Sequence, residues 1–180
     1  MNHSFSQWRE YRPFLQRCIP AHIYDWLLDK SSLTARLQLR CDQFAVNVLS
    51  EHYRYASLYE ADSLGIQSGI RLRVREVNLY CNNVAVVYAR SLIPVTSLYG
   101  RLERLRFQGN KSLGAALFAD SETIRGPIEL IVTPAKAIPG ATSGIIWGRR
   151  SLFHLSGYPL LVAEYYLPAL FEEYNNEIAL

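Results

Sequence analysis

The segment WGRRSLFHLSGYPLLVAEYYLP, residues 147–168, decides the predicted fold. Two apolar runs flank a turn-like Ser-Gly-Tyr-Pro sequence, and this pattern is typical of a β-hairpin. The second run, LLVAEYYLP, is predicted to be a buried strand, yet Glu164 lies in its middle. A carboxylate on an apolar strand face is costly unless another group pairs with it. We therefore expect Glu164 to face a partner, and the identity of that partner is the first question that the sequence raises.

The hydrophobic periodicity of the rest of the chain predicts helices, then strands, then helices, then strands. AHIYDWLLDK and SSLTARLQ are predicted helices, the second with Ser31 or Ser32 as its N-cap. Strands are predicted for FAVNVLSE, IRLRVREVNLYC and VAVVYARSLIP, and the last two are joined by a tight Asn82-Asn83 turn. The later elements are predicted as a helix at 96–108, a short helix at 112–118, a strand at 123–133 and a loop at 134–144. This order predicts an α+β fold, with a largely antiparallel sheet and helices packed on one face, in a single domain over residues 1–180.

The composition limits the class of protein. With 180 residues, of which 49% are hydrophobic and 19% charged, the chain is expected to form one globular domain with a sizeable core. No apolar run reaches the ~18 residues of a membrane helix, and the N-terminal segment MNHSFSQWREYRPF lacks the apolar core of a secretory signal. The net charge of +3 is too small and too dispersed to indicate nucleic-acid binding. The three scattered cysteines, Cys18, Cys41 and Cys81, argue against a disulfide framework, so we expect a cytoplasmic protein without stable membrane insertion.

Strand parity places three charged residues on or beside apolar faces. Because successive side chains point to opposite faces, Arg90 and Glu164 are embedded in apolar stripes and Arg75 borders one. If Asn82-Asn83 is a two-residue loop, paired positions across that hairpin sum to 165, so Arg75 lies opposite Arg90. Two such guanidinium groups repel each other unless an anion, either Glu164 or a ligand carboxylate, lies between them. The same pattern is compatible with an internal ion cluster that binds nothing, or with a solvated sheet face.

Other candidate sites carry weaker signals. The four histidines, at positions 3, 22, 52 and 154, have no metal-ligand spacing with one another or with the cysteines, so no metal site is expected. Arg149 and Arg150 alternate across a strand, so only one of them can face a given anion site, and the other is expected to pair with an acid. Residue pattern alone therefore predicts a soluble α+β domain with a candidate anion pocket.

Four blocks of the sequence go further: WLLDKSSLTARL, VREVNLYCNNVAVVYARSLIP, SLGAALF and WGRRSLFHLSGYPLLVAEYYLP. From about Trp26 to Pro168, their order and spacing resemble the chorismate pyruvate-lyase family, and WGRRS followed by LL-x-x-E-x-x-LP is the most specific part. The resemblance implies a single domain with an about six-stranded antiparallel sheet flanked by helices. It also implies that the enolpyruvyl group of chorismate is eliminated, without a metal or redox cofactor, to give pyruvate and 4-hydroxybenzoate for ubiquinone synthesis. The implied partners are this small-molecule substrate and its product, bound by a monomer, with no nucleic acid.

The resemblance also implies roles for individual residues. Arg75 would bind the ring carboxylate, because a guanidinium fork binds a carboxylate with both energy and orientation. Glu164 would lie at the hydroxyl end of the ring, to donate a proton to the departing enolpyruvyl oxygen or to help remove the ring proton. Arg90 would hold the enolpyruvyl carboxylate or help to close the pocket. Backbone N–H groups of Leu33 and Leu113, at predicted helix starts, would help to bind carboxylate, and the helices there are the expected flaps.

Three departures from the family pattern stand beside this resemblance. The family's Ser-Met-Thr is Ser32-Leu33-Thr34 here, its Pro-Leu-Gly is Ser112-Leu113-Gly114, and the loop at 134–144 is longer than usual. Three other interpretations stay open. The same fold type serves as the effector-sensing domain of some transcription regulators, so a domain that binds 4-hydroxybenzoate without turnover is one alternative, although no helix-turn-helix segment precedes it. A scaffold protein with an internal ion cluster is another, and a lyase acting on a related cyclohexadiene acid is a third.

Overall fold

One antiparallel sheet dominates the computed structural model, which describes residues 6–98, 100–107, 109–118 and 120–171. Its strands in these residues are β1 (Arg9–Glu10), β2 (Phe44–Tyr55), β3 (Arg71–Cys81), β4 (Val84–Pro94), β5 (Thr123–Arg125), β6 (Glu129–Pro134), β7 (Ile145–Leu155) and β8 (Tyr158–Tyr166). They lie in the order β1-β6-β7-β8-β4-β3-β2, and β5 pairs with β7. The predicted α+β class and the largely antiparallel sheet are confirmed. Two short strands, β1 and β5, extend the six long ones.

The α-helices of the described residues are α1 (Ala21–Leu28), α2 (Leu33–Gln38), α3 (Leu58–Leu64) and α4 (Leu113–Phe118). The predictions for α1, α2 and α4 are confirmed, and Ser32 is the N-cap of α2, since its hydroxyl accepts from the Ala35 N–H at 3.3 Å. The predicted helix at 96–108 is instead a 3-10 helix over Gly100–Phe107, and residues 99 and 108 lie outside the described part of the chain. None of the helices in the described ranges is long and apolar enough to span a bilayer.

Helix α3 was missed by the sequence pattern, although its start carries a local signal. The Ser57 hydroxyl accepts from the Glu60 N–H at 3.2 Å, and the Glu60 carboxylate accepts from the Ser57 N–H at 3.0 Å. This reciprocal capping box satisfies two backbone donors that a helix start leaves open. Gly65, with a left-handed φ of 64°, ends the helix. The spacing of serine and glutamate therefore fixes where α3 begins.

Helices cover both faces of the sheet, so the prediction of a one-sided arrangement is wrong. We call the face that carries Arg75, Val77 and Leu79 of β3 the first face, and the opposite one the second face. On the first face, α1, α2 and α4 bury apolar side chains against the strands: Leu27, Leu37, Val77 and Leu79 share one cluster, and Leu113, Leu117, Ile93 and Leu160 share another. On the second face, Leu64 of α3 packs with Val74, Leu92 and Leu161. Both faces are apolar enough to need a cover.

The turn between β3 and β4 is the predicted tight hairpin. Asn82 and Asn83 have φ of 49° and 66°, the left-handed values that a two-residue type I′ turn requires. Cys81 pairs with Val84, as the predicted register demands. The local turn chemistry was therefore sufficient to place this connection.

The register beyond that turn differs from the prediction because β4 contains an irregularity. The pairing shifts by one residue at the Leu79–Tyr80 step, so Arg75 pairs with Ser91 and Glu76 pairs with Arg90. A shift of one residue moves every later side chain of a strand to the other face. The predicted pairing of Arg75 with Arg90 is therefore wrong, and the two guanidinium groups lie on opposite faces.

The expectation of no disulfide is also wrong. Cys41, just beyond α2, is bonded to Cys81 at the end of β3, with an S–S distance of 2.02 Å, while Cys18 is not in a disulfide. The two bonded residues are 40 positions apart in sequence. Phe44 of β2 pairs with Cys81 in the sheet, which brings the α2–β2 connection beside it. Sequence spacing gave no indication of this proximity, because the strand pairing creates it.

Candidate functional site

A small cavity of about 30 Å³ lies on the first face, between the sheet and the starts of α2 and α4. Strands β3, β4 and β8 form its floor, and the helix starts form its roof. The polar and charged side chains that line it are Thr34, Arg75, Ser91, Ser112 and Glu164. Apolar residues such as Val77, Leu113 and Val162 complete the walls. Two of the predicted site residues, Arg75 and Glu164, therefore meet around one enclosed space, together with Leu113.

Glu164 faces Arg149, which answers the question raised by its place in an apolar strand. The two residues are directly opposite in the β7–β8 register, and Arg149 Nε donates to Glu164 Oε2 at 2.6 Å. Arg149 Nη1 also donates to the backbone oxygens of Trp26, at 3.0 Å, and Asp29, at 2.5 Å. Arg149 is therefore held on several sides, and it fixes the position of the Glu164 carboxylate at the cavity.

Burial and neighbouring charges together set the protonation of the groups in this ion pair. Desolvation of the Arg149 guanidinium acts to lower its pKa, but attraction to the Glu164 carboxylate and to its other neighbours outweighs desolvation, so the pKa of Arg149 is raised. Beneath the pair, Tyr166 donates from its hydroxyl to the Trp26 oxygen at 2.9 Å, and burial raises the pKa of that phenol. At neutral pH, Arg149 is therefore a cation and Tyr166 is neutral.

Arg75 is less completely neutralised than Arg149, because its nearest carboxylate is farther away. Its side chain is 2% exposed. Its Nη2 donates to the backbone oxygens of Gly109, at 2.8 Å, and Lys111, at 3.1 Å. Glu51 Oε2 lies 3.7 Å from Arg75 Nε, but the Glu51 carboxylate is closer to Arg73, whose Nε donates to Glu51 Oε1 at 3.0 Å. In the described residues Arg75 Nε has no hydrogen-bond partner. Desolvation, and then repulsion by Arg73, lowers the pKa of Arg75. A buried guanidinium with an open donor favours an anionic ligand.

The two helix starts above the cavity are joined to each other. The hydroxyls of Thr34 and Ser112 are 2.5 Å apart, which links the beginning of α2 to the residue before α4. Leu113, the first residue of α4, lines the cavity, whereas α2 contributes Thr34 and not the buried Leu33. The structure therefore brings Leu113 to the site directly and Leu33 only as the neighbour of a lining residue.

Arg90 is not part of this cavity, which corrects its predicted role. It lies on the second face, where its guanidinium is 3.3 Å from both Glu60 Oε1 and Glu76 Oε1. The bulge in the β3–β4 hairpin is the physical reason, since it reverses the side-chain parity between Arg75 and Arg90. An ion network, one of the two interpretations that parity left open, accounts for Arg90.

Arg149 and Arg150 alternate across the strand as predicted, and both pair with an acid, Arg149 with Glu164 and Arg150 with Glu129, whereas Arg125 was missed by the sequence pattern. Around the two-residue Ser156-Gly157 turn, the numbers of paired residues sum to 313. This register places Arg149 opposite Glu164, as the structure does. Arg125 carried no comparable signal. Its Nε donates to Ser151 Oγ at 3.0 Å, and its Nη1 lies 3.2 Å from the Lys30 oxygen and 3.5 Å from the Asp29 oxygen. Desolvation, and then the charge of Arg149, lowers the pKa of Arg125.

Comparison with known proteins fits this geometry. The family model described as chorismate lyase matches residues 8–176. The chain belongs to the chorismate lyase family. A relative from Aromatoleum aromaticum named "Probable chorismate pyruvate-lyase" is 38% identical over 164 residues, covering 86% of this chain and 89% of the relative. Another of the same name, from Pseudomonas putida, is 40% identical over 155 residues, covering 85% of this chain and 84% of the relative.

Solved structures support the fold independently. The effector domain of PhnF from Mycobacterium smegmatis superposes with a TM-score of 0.60 at 15% identity, over 79% of this chain and 91% of that one. The C-terminal domain of the histidine utilization repressor from Pseudomonas syringae gives a TM-score of 0.53 at 12% identity, over 71% and 93%. The predicted membership in the chorismate pyruvate-lyase family is confirmed, and these structures show the same fold in proteins of very different sequence.

Proposed function

We propose that this protein is a chorismate pyruvate-lyase, which eliminates pyruvate from chorismate and leaves 4-hydroxybenzoate. The observation that carries the proposal is the pairing, around one enclosed cavity, of a buried arginine with an open donor and a glutamate held in place by a second arginine. Family membership supports the same activity, since the relatives named above carry that name.

In this proposal, Arg75 binds the ring carboxylate and backbone N–H groups at the helix starts, those of Leu113 and Leu33, assist. Glu164 lies at the hydroxyl end of the ring. The bond between the ring carbon and the enolpyruvyl oxygen breaks, its electron pair leaves with that oxygen, and the proton on the neighbouring ring carbon is lost, so the ring becomes aromatic. Glu164 serves one of two proton transfers: it accepts the ring proton or donates a proton to the leaving group. Arg149 holds the carboxylate in position for either step.

The cavity must open for this reaction. Its volume of about 30 Å³ lies far below the roughly 300 Å³ at which ligand pockets begin. We therefore propose that the starts of α2 and α4, joined by the Thr34–Ser112 hydrogen bond, act as flaps that separate to admit chorismate. Once closed, they exclude water from the elimination.

The finer parts of the proposal concern context. We propose a single domain over residues 1–180 that works as a monomer and supplies 4-hydroxybenzoate to ubiquinone synthesis in the cytoplasm. The Cys41–Cys81 disulfide removes the cysteine argument for that location, so the location rests on the proposed pathway. Neither a nucleic acid nor stable insertion into a membrane forms part of it. Light scattering of the purified protein tests the monomer, and a dimer would contradict that part alone.

The direct test is turnover of chorismate by the purified protein. With a metal chelator present, 4-hydroxybenzoate is measured by chromatography and pyruvate by a coupled assay. We expect equal amounts of both products, well above the spontaneous background. Tight binding of 4-hydroxybenzoate without turnover would indicate an effector-binding domain instead. Absence of both turnover and binding would contradict the proposed function altogether.

A further inference from the structure

The arginines on the first face outnumber the carboxylates that neutralise them. Of the charged side chains on this face, Arg75 and Glu164 line the cavity, and Arg73, Glu51, Arg149 and Arg125 are their neighbours. Arg73 pairs with Glu51 at 2.8 Å and Arg149 pairs with Glu164 at 2.6 Å. This leaves Arg75, whose Nε is 3.7 Å from Glu51, and Arg125, which has no carboxylate oxygen within 4.0 Å among the described residues. Arg75 thus shares the single carboxylate of Glu51 with Arg73, which is closer to it, and Arg125 has no carboxylate at ion-pair distance in the described residues.

Arg125 lies beside the Glu164–Arg149 pair. The backbone oxygen of Asp29 accepts from Arg149 Nη1 at 2.5 Å and lies 3.5 Å from Arg125 Nη1, so the two guanidinium groups are close neighbours. Because Arg125 pairs with Phe153 across β5 and β7, its side chain lies on the same face as those of Arg149 and Ser151. Arg125 therefore belongs to the Glu164 end of the site.

The same residue lies under the proposed flap. Its guanidinium carbon is 6.0 Å from the ring centre of Phe118, at the end of α4, and 5.4 Å from that of Phe153. Helix α4 also carries Leu113, which lines the cavity. Arg75 and Arg125 approach from opposite sides, since β4, β8 and β7 separate β3 from β5 in the sheet.

We propose that Arg125 binds the enolpyruvyl carboxylate of chorismate, as the second of two arginines that each take one carboxylate. This inference rests on the proposed function, because it assigns the two incompletely neutralised arginines to the two negative charges of that substrate. Arg75 takes the ring carboxylate at one end. The enolpyruvyl ether is attached beside the ring hydroxyl, which is the Glu164 end, and Arg125 is the arginine available there.

Arg149 and Arg90 are poorer candidates for this contact. Arg149 is 2% exposed and already donates to Glu164, Trp26 and Asp29. Arg90 lies on the other face, between Glu60 and Glu76. Arg125, by contrast, donates to a hydroxyl and to backbone oxygens, none of which carries a full charge.

This placement also has a chemical consequence. As the carbon–oxygen bond breaks, negative charge develops on the enolpyruvate that is leaving. A cation positioned at its carboxylate keeps the leaving group oriented and stabilises that charge in an enclosed site. After pyruvate departs, 4-hydroxybenzoate retains only the carboxylate at Arg75. Arg125 therefore distinguishes substrate from product.

The test separates these two ligands with the variant Arg125→Gln. We expect the KM for chorismate to rise about 10- to 100-fold, which is typical for the loss of a charge-assisted hydrogen bond. The Kd for 4-hydroxybenzoate should change less than twofold. Arg90→Gln is the matched control, an arginine of the second face, and should alter neither value. Equal losses of substrate and product affinity in Arg125→Gln, or an unchanged KM, would overturn the inference.

A second measurement does not depend on the folding of that variant. In the wild-type protein, 3-(carboxymethoxy)-4-hydroxybenzoate carries an ether-linked second carboxylate, whereas 4-hydroxy-3-methoxybenzoate lacks only that group. We expect the first to bind at least tenfold more tightly, and Arg125→Lys, which keeps the charge but loses the fork, to narrow the gap. Equal binding of the two by the wild type would contradict the inference. Wild-type turnover of chorismate, measured first, shows separately whether the proposed function itself holds.

Discussion

The two faces of the sheet both carry arginines in apolar surroundings, but they differ in how those arginines are neutralised. On the second face, Glu60 accepts from Arg54 at 2.5 Å and from Arg90 at 3.3 Å. Arg150 is held by both oxygens of Glu129, at 2.7 Å and 3.2 Å. Every arginine in this group has its carboxylate within the protein, so the second face is a structural ion network.

On the first face, the protein leaves part of this compensation open. Arg75 is buried, its Nε lacks a hydrogen-bond partner in the described residues, and Glu51 is shared with Arg73. Burying an incompletely compensated charge is unfavourable, and charged groups perturbed in this way cluster at functional sites. The shared carboxylate and the open donor of Arg75, and not the excess of arginine by itself, therefore mark the first face as the candidate site.

Strand β7 provides the sharpest contrast, because adjacent arginines point to opposite faces. Arg149 pairs with Glu164 across the strands at 2.6 Å, and Arg150 pairs with Glu129 at 2.7 Å.

The largest expected effect on activity belongs to Glu164→Gln. We expect kcat to fall about 10²- to 10⁴-fold, because a side chain that transfers a proton is removed. The measurement is the rate of chorismate turnover divided by the concentration of folded protein, and circular dichroism gives the folded fraction.

Glu129→Gln is the control for this variant. It removes the same charge from an arginine pair of nearly the same length, but on the second face. It should cost some stability and leave kcat within a factor of two. Equal losses of kcat in the two variants would show that breaking a cross-strand ion pair, and not chemistry at Glu164, lowers activity.

The next largest expected effect is on stability and concerns the disulfide that ties α2 to the sheet. The α2 end of the first face is tied covalently through Cys41 and Cys81, which enclose a loop with a sequence separation of 40 residues. Replacing both by serine should lower the free energy of unfolding by about 3–4 kcal/mol, as expected for a loop of this length. Urea unfolding with and without reductant checks it. Reductant should lower the urea midpoint of the wild type and leave that of the double variant unchanged. Equal shifts in the two proteins would show that the disulfide does not stabilise the fold as described.

A smaller effect separates Arg75 from Arg90. We expect Arg75→Gln to weaken the binding of 4-hydroxybenzoate by about 1.5–3 kcal/mol, the value of a hydrogen bond to a charged group. Arg90→Gln, which removes the same charge from the second face, should leave that affinity within twofold. Isothermal titration of the product with each variant gives both numbers. A similar loss in both would mean that net charge, not position, governs binding.

Much of the fold was predictable because its signals are local. Asn82-Asn83 and the Ser-Gly turn fixed two hairpins, and alternation of apolar residues marked the strands around them. The predicted strand at 123–133 was only half right, because a break between Arg125 and Glu129 splits it into β5 and β6. The capping box of α3 was a local signal that went unread. What the pattern could not reveal was which faces the helices cover, since that depends on long-range packing.

The site was less predictable than the fold. Strand parity singled out Arg75 and Glu164, family resemblance implied their roles, and both residues line one cavity. The bulge that moves Arg90 to the other face is set by tertiary packing and has no sequence signature here. Arg125 joins the site through Ser151 and the α1–α2 connection, which are far from it along the chain. Such contacts arise only once the sheet has formed.

The smallest effect sharpens the comparison through pH. The Arg54 guanidinium, against the opposing effect of burial and with help from Ser57, lowers the pKa of Glu60 from 4.5 to about 2. Because the folded pKa is below the unfolded one, Glu60 stabilises the protein above about pH 4.5, and this contribution is lost as pH falls towards 2. Glu60→Gln should therefore cost about 1–2 kcal/mol at pH 7, with the difference from wild type shrinking between pH 4.5 and 2. Urea unfolding at several pH values measures this, and exposed Glu122→Gln is the control. If the difference in unfolding free energy does not depend on pH, the capping geometry, and not the charge of Glu60, holds α3 to the second face. In either case kcat should stay unchanged, because none of the described residues of that ion network lines the first-face cavity.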